Sequence, residues 1–106
     1  MNKDPFERVP ERIINNFIDI LALKELERKS AISGYDLITL IHRRFGVTVS
    51  SGTVYSVLYS LERVGLVKGT LDSRKRIYTL TDKGKEALQT IRKEKTEVQR
   101  LTSTIF

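Results

Sequence analysis

Apolar side chains recur at helical spacing over the first quarter of the chain. From Ile13 to Leu26 they return every three or four residues, which predicts an amphipathic helix. Pro10 is tolerated only in a first turn, because it has no N–H to donate. The pattern therefore predicts one helix that begins near Val9 and ends at about Arg28.

Two further helices are predicted directly after it. Residues 33–36 read Ser-Gly-Tyr-Asp, a capping box that opens a helix, and Gly46 ends it. Ser50 or Ser51 can cap a third helix, which Gly65 terminates. Two short helices joined this tightly are typical of a helix-turn-helix.

After Gly65 the pattern changes from helical to β-prone. Residues 66–68 and 76–80 are short runs of β-favouring side chains, separated by turn-forming residues, and predict a hairpin. A last helix then runs from Asp82 to about Thr104. The predicted fold class is mainly α with a small β-hairpin (α+β), a winged helix-turn-helix with a long C-terminal dimerisation helix.

The length of 106 residues supports one compact core with one projecting element. We therefore predict a winged-helix DNA-binding domain at residues 1–81 and a C-terminal dimerisation helix at residues 82–106.

The third helix separates its residues into two faces. At about 100° per residue, its apolar side chains fall on one side. Gly52, Ser56, Tyr59, Ser60 and Arg63 fall on the opposite side. Hydroxyls, an aromatic ring and a cation without a carboxylate suit a surface that meets phosphates and base edges. The alternative is a structural helix whose hydroxyl residues are only capping and solvated.

Three consecutive cations, Arg74, Lys75 and Arg76, lie at the tip of the predicted hairpin. Such a tip can clamp phosphates or enter a minor groove. A basic triplet alone is more often a solvated loop. Because the hairpin follows the third helix after Gly65, the two features support each other.

Composition narrows the function further. The net charge of +6 indicates a polyanionic partner, either nucleic acid or an anionic membrane surface. With no Cys and one His, neither a thiolate nor a multi-histidine metal site is expected, and no catalytic cluster is present in the sequence, so we expect no enzyme, metal or cofactor. No apolar run approaches the roughly 20 residues that span a bilayer, and the N-terminus is charged. We therefore expect a cytoplasmic protein.

The last helix predicts a dimer. At about 1.5 Å per residue it would be about 34 Å long, so that its distal half extends beyond its own subunit. A partner helix is expected to cover its apolar residues. The predicted interface residues are Leu88, Ile91, Val98, Leu101 and Ile105. The alternative is a helix that folds back across the first one.

Four segments in order give the chain a family resemblance. They are residues 33–37 (SGYDL), 51–58 (SGTVYSVL), 61–67 (LERVGLV) and 76–84 (RIYTLTDKG). With this set, the sequence resembles the PadR family of transcriptional regulators, in its short type with a single C-terminal helix. The resemblance implies a winged-helix homodimer that binds double-stranded DNA at a palindromic operator, usually as a repressor.

The resemblance also implies roles for single residues. It assigns DNA contact to Ser51, Gly52, Thr53, Tyr55 and Ser56, phosphate contact to Tyr35, and backbone contact to the wing. Many members have Pro where this chain has Ser56, so the local contact differs here. From the exposed face and the wing we add Tyr59, Arg63, Arg74, Lys75 and Arg76 to the DNA-binding set.

Two other functions stay open on the sequence. A non-regulatory architectural protein would use the same basic surface with little sequence preference. A protein-interaction module would use the long helix to bind a different protein. The resemblance also suggests a small aromatic effector, for which Phe6, Phe17 and Phe106 are the candidate ring partners in a chain without Trp.

Overall fold

The computed structural model describes residues 4–106 as a run of helices interrupted by a small sheet. The elements are a 3-10 helix Pro5–Arg8, α1 Val9–Asn16, α2 Ile18–Arg28, β1 Ile32–Ser33, α3 Gly34–Phe45, α4 Ser51–Arg63, β2 Val67–Asp72, β3 Lys75–Leu80, α5 Asp82–Lys93 and α6 Lys95–Ile105. Helices α3 and α4 form the helix-turn-helix, and β2 and β3 form the wing. The predicted winged-helix fold class is confirmed.

The start and end of α3 follow from its local sequence. The Ser33 hydroxyl accepts from the Asp36 backbone N–H at 3.1 Å, and the Asp36 carboxylate accepts from the Ser33 N–H at 2.8 Å. This reciprocal pair satisfies two N–H groups that the helix itself cannot. At the other end Gly46 has φ of +67°, a left-handed conformation in which glycine is favoured.

The N-terminal helix is not continuous, which corrects the prediction of one helix from Val9 to about Arg28. Phe17 leaves helical geometry, with φ of −120° and ψ of 21°, and separates α1 from α2. None of the α1 side chains is buried, whereas α2 places Ile18 and Leu26 in the core. The break therefore lies where the chain enters the core.

The sheet has three antiparallel strands in the order β1-β3-β2, one more than the predicted hairpin. β1 pairs Ile32 with Tyr78 and Ser33 with Ile77. This two-residue strand leads directly into α3, so the wing is joined to the helix-turn-helix from two sides. A strand this short carries no alternating pattern that sequence analysis could detect.

The core lies between α2, α3, α4 and α5 and is closed by the sheet. Its fully buried aliphatic side chains come from every one of these helices: Ile18, Ala22, Leu37, Ile41, Val54, Leu58 and Leu88. Helix α5 crosses close to the start of β2. A side chain at position 84 would overlap the Leu66 carbonyl, so this close crossing depends on Gly84. The apolar face of α4 is thus fixed by its own subunit.

The C-terminal segment differs from the prediction of one long helix. Glu94 interrupts it and divides it into α5 and α6. α5 is held by buried Leu88 and by an ion pair between Arg92 and Glu27 of α2. Beyond that pair, α6 buries none of its side chains. Across residues 4–106, no helix combines the length and the apolar character that crossing a membrane requires.

Candidate nucleic-acid interface

The outer face of α4 has the composition that the sequence predicted. Ser51, Gly52, Thr53, Ser56, Tyr59, Ser60 and Arg63 are all exposed, while Val54, Leu58 and Leu61 are buried beneath them. The predicted division of this helix into two faces is confirmed. Ser56 and Ser60 lie beyond the first turn of the helix, so capping alone does not explain them, and the alternative of a structural helix with solvated hydroxyls stays open.

The N-terminus of α4 is open to an approaching ligand. The Ser50 hydroxyl accepts from the Thr53 N–H at 3.1 Å and donates to the Thr53 hydroxyl at 2.7 Å. The first turn carries no acidic residue, so the positive end of the helix dipole is not neutralised there. A Cβ at Gly52 would meet no atom within 4 Å, so the subunit itself does not require glycine at that position.

Tyr55 has a structural role as well as an exposed edge. Its ring lies against Gly34 at the start of α3, and a side chain at Gly34 would overlap it. About 45% of Tyr55 stays exposed. The same contact places the first turn of α3, with its exposed Tyr35, beside the first turn of α4. Tyr35 and Tyr55 therefore border one surface.

The tip of the wing has an unusual backbone. Ser73 and Arg74 join the two strands, and both have positive φ, 49° and 68°. A two-residue hairpin turn needs this geometry, but it favours Asn and Gly over Ser and Arg. Arg74 and Lys75 are exposed, and neither has an ion-pair partner in the part of the chain that the structure describes. These two cations are free to meet phosphates.

Arg76 differs from its two neighbours, because it is already engaged. Its guanidinium donates to the Glu62 carboxylate of α4 at 2.5 Å, and Glu62 also accepts from the Gly69 N–H of β2 at 3.3 Å. The Arg76 hydrogen bond lowers the pKa of the Glu62 carboxyl and raises that of the guanidinium. Arg76 was predicted to contact DNA, but it is an ion-paired residue in the free protein.

Two carboxylates beside the exposed face have partners in their own subunit. Glu62 is paired with Arg76, and Asp36 accepts the Ser33 N–H, which lowers the pKa of the Asp36 carboxyl. The sequence alone does not predict the ion pair between Glu62 and Arg76. No local pattern could have revealed it, because the partners come from different elements.

A second basic region was also missed. Arg28, Lys29, Arg43 and Arg44 surround a cleft of about 580 Å³ that reaches Tyr35 along α3. The buried Glu25 lies near three of them and forms its shortest contact, 2.9 Å, with Arg28. These cations extend positive charge from the candidate interface along α3.

The predicted dimer residues divide into two groups. Leu88 is fully buried in its own subunit and has no surface left for a partner, so we remove it from the predicted interface. Ile91 is partly buried, and Val98, Leu101 and Ile105 are exposed on one side of α6. Between α2, α5 and α6 runs a groove of about 540 Å³ lined by Phe17, Ile20, Ile91 and Val98.

Residues 4–106 contain no cluster of metal-ligating side chains.

Comparison with known proteins agrees with this geometry. Residues 22–90 match the family described as Transcriptional regulator PadR-like family. The chain is similar to the transcriptional activator GvpE1 of Halobacterium salinarum, with 27% identity over 82 residues; the match covers 77% of this chain and 43% of that protein. The chain thus spans less than half the length of this relative.

Solved structures with the same fold include the following two. A PadR family transcription regulator from Clostridium difficile superposes with a TM-score of 0.74 at 25% identity, covering 84% of this chain and 97% of that one. F93 from STIV, a winged-helix DNA-binding protein, gives a TM-score of 0.64 at 20% identity, covering 80% of this chain and 91% of that one.

Proposed function

Because the chain belongs to the PadR-like family of transcriptional regulators, we propose that it acts as a homodimer that binds a palindromic site in double-stranded DNA and represses transcription there. The observation that carries this proposal is the exposed face of α4, which combines hydroxyls, two tyrosines and Arg63 next to the free cations of the wing. Such a regulator acts on chromosomal DNA, so we assign it to the cytoplasm.

Each part of the interface has a distinct role in this proposal. Ser51, Thr53, Ser56 and Tyr59 enter the major groove, where hydroxyls can accept from or donate to base edges. Gly52 lets the helix backbone approach the duplex. Tyr55 contributes its exposed edge. The phosphate contacts come from Tyr35, Arg63, Arg74 and Lys75.

The second subunit is proposed to bind the apolar side of α6. Val98 and Leu101 leave nearly half of their surface exposed, and Ile105 leaves 74%. A helix whose apolar side is only partly covered by its own subunit is stabilised when a second copy covers the rest. Two-fold symmetry would then place two α4 helices for half-sites about one turn of DNA apart, or a multiple of it.

An aromatic effector is proposed to bind in the groove between α2, α5 and α6. Its apolar lining includes Phe17, and Lys24, Arg92 and Lys95 lie at its edges. Aromatic ligands with an acidic group fit a site that has an apolar floor and a basic rim. Because the groove adjoins the proposed dimer contact, a bound ligand would alter the spacing of the two α4 helices.

The salt dependence of DNA binding tests the interface. Affinity selection from genomic fragments supplies the preferred duplex. Replacing both Arg74 and Lys75 by Ala should then weaken binding to every sequence and lower the slope of log K against log salt by about 1.8, or about 0.9 for each lost phosphate contact. Lys93→Ala, an exposed cation on α5, should leave the slope unchanged. A slope that stays the same in the double variant would contradict the role of the wing.

Sequence preference separates a regulator from an architectural protein. A regulator should bind its selected fragment at least about 10³-fold more tightly than bulk DNA. Equal affinity for all fragments would favour the architectural function. A stable complex with a different protein, without retardation of any duplex at low salt, would favour the protein-interaction module.

Activation of transcription is the second candidate function, because the similar protein GvpE1 is named a transcriptional activator. Transcription in vitro from the selected promoter fragment distinguishes the two. A repressor should lower the amount of transcript as dimer is added, whereas an activator should raise it.

A further inference from the structure

Three elements converge on the guanidinium of Arg76. Glu62 of α4 accepts its hydrogen bond at 2.5 Å, and the guanidinium carbon lies 5.8 Å from the centre of the buried Tyr78 ring of β3. Gly69 of β2 faces it, and a Cβ there would lie only 2.8 Å from the nearest guanidinium nitrogens. Position 69 has room for the arginine because it carries no side chain. We call Glu62, Gly69 and Arg76 the latch.

The latch joins α4 to both strands of the wing. Glu62 is bonded to β3 through Arg76 and to β2 through the Gly69 N–H, which lies 3.3 Å from the same carboxylate oxygen. The chain also connects α4 to the wing through the segment 64–66, and Val67 and Tyr78 of the wing are buried in the same core as Leu61 of α4. The latch adds a charged connection, which further restricts the angle of the hairpin to the helix.

Arg76 differs from Arg74 and Lys75 because its charge is compensated by an ion pair. A cation gains from a phosphate contact by neutralising it and releasing counterions. The charge of Arg76 is already compensated by Glu62, whereas the two cations at the tip have no ion-pair partner among the described residues. The hairpin thus combines two free cations at its tip with one engaged cation at the next position of β3.

We propose that Glu62 is a positioning residue that holds Arg76 away from the phosphates and fixes the wing against α4, so that specificity depends on the latch and general DNA affinity on Arg74 and Lys75. This inference rests on the proposed function and goes beyond it. In the DNA complex the ion pair persists. Arg74 and Lys75 contact the phosphate backbone of any duplex, and the fixed wing holds α4 at the angle that base contacts in its preferred sequence require.

Gly69→Ala tests the latch without changing any charge. The added methyl would lie 2.8 Å from the nearest guanidinium nitrogens, so the end of the Arg76 side chain must shift from its present contact, while a strand accommodates alanine. Glu62→Gln and Arg76→Ala break the ion pair from its two sides. The matched control is Arg74→Ala, which removes a cation from the same hairpin outside the latch. Binding of each variant is measured on the selected duplex and on bulk DNA over a range of salt concentrations.

The expected results separate the two roles. Each of the three latch variants should lower the ratio of specific to bulk affinity by about tenfold, comparable to one mismatched base pair. Arg76→Ala should leave the salt slope unchanged, and Glu62→Gln should steepen it by about 0.9 as the arginine is released. Arg74→Ala should lower the slope by about 0.9 and leave the ratio unchanged.

Failure of the latch is distinguishable from failure of the proposed function. If Arg76→Ala lowers the slope as much as Arg74→Ala does, or if Gly69→Ala and Glu62→Gln keep the full ratio, the latch is wrong while DNA binding stands. If the wild-type protein binds no duplex, the proposed function fails and so does the role of the latch in specificity. NMR titration then shows whether the contact itself exists, because the pKa of Glu62 should rise toward its ordinary value in Arg76→Ala.

Discussion

Helices α4 and α6 are of similar length, yet the exposed side of α4 and the apolar side of α6 have opposite chemistry. The exposed side of α4 carries hydroxyls, and its opposite side buries Val54, Leu58 and Leu61. The exposed side of α6 carries Val98, Leu101 and Ile105, and this helix buries nothing. A polar face on an anchored helix suits a ligand such as DNA. An apolar face on an unanchored helix suits a second subunit.

The largest expected effect comes from removing the anchor of α4. Leu58→Ala should lower the free energy of unfolding by about 2–5 kcal/mol, because it leaves a cavity in the shared core. Leu101→Ala, on the unanchored helix, should lower the free energy of unfolding by an amount that depends on protein concentration, since this substitution weakens the dimer. Urea unfolding at two concentrations distinguishes them. If Leu101→Ala lowered the free energy of unfolding as much as Leu58→Ala does, and equally at both protein concentrations, α6 would be anchored in its own subunit and the contrast with α4 would be wrong.

An added charge should act differently on the two faces. Leu101→Glu should weaken dimerisation by about 100-fold, since a carboxylate would be buried without a partner. Ser56→Glu should leave the dimer intact and weaken DNA binding by about 100-fold through repulsion of phosphates. Ser103→Glu, on the opposite side of α6, is the control and should do neither. Analytical ultracentrifugation and a DNA shift assay measure the two properties. If Leu101→Glu weakened DNA binding without affecting the dimer, and Ser56→Glu weakened the dimer, the assignment of the two faces would be wrong.

The wing tip should separate stability from binding. Replacing Ser73 by Asn and Arg74 by Gly together gives the turn the residues that positive φ favours, and should stabilise the protein by about 1 kcal/mol. The same change removes one free cation and should lower the salt slope of DNA binding by about 0.9. Thermal unfolding and salt titration check the two effects. A variant that is more stable and binds with an unchanged slope would show that Arg74 makes no phosphate contact.

The smallest expected effect concerns the start of α3. The Ser33 N–H lowers the pKa of the Asp36 carboxyl, so its ionised form stabilises the fold. This contribution is fully present above the unfolded pKa, about 3.9, and is lost as pH falls through the folded value. Asp36→Asn should cost about 0.5–1 kcal/mol near pH 7. The difference from the wild type should shrink below about pH 4, and an undiminished difference there would contradict the role of the charge.

The sequence predicted those features that depend on neighbouring residues. The capping box at Ser33 and Asp36, the end of α3 at Gly46 and the two faces of α4 are confirmed, because each is set within a few residues. The hairpin was found as well, through its β-prone runs and turn residues. These local features establish the winged helix and the exposed face of α4 that we propose for DNA contact.

The remaining features depend on contacts between distant elements. The break at Phe17 and the burial of Leu88 are decided by how α2 and α5 meet in the core. Pairing of Glu62 with Arg76 needs the wing folded against α4, so the sequence alone left Arg76 among the free cations. The break at Glu94 lies one residue beyond Lys93, where the chain leaves the core, and the helical spacing of the apolar residues continues across it.

The most direct test of the account is NMR chemical-shift mapping of the backbone amides with the selected duplex. The account predicts that the largest changes occur in residues 51–63 of α4 and in residues 73–75 of the wing, while α6 stays unchanged. Changes concentrated on α6, with α4 unaffected, would contradict it.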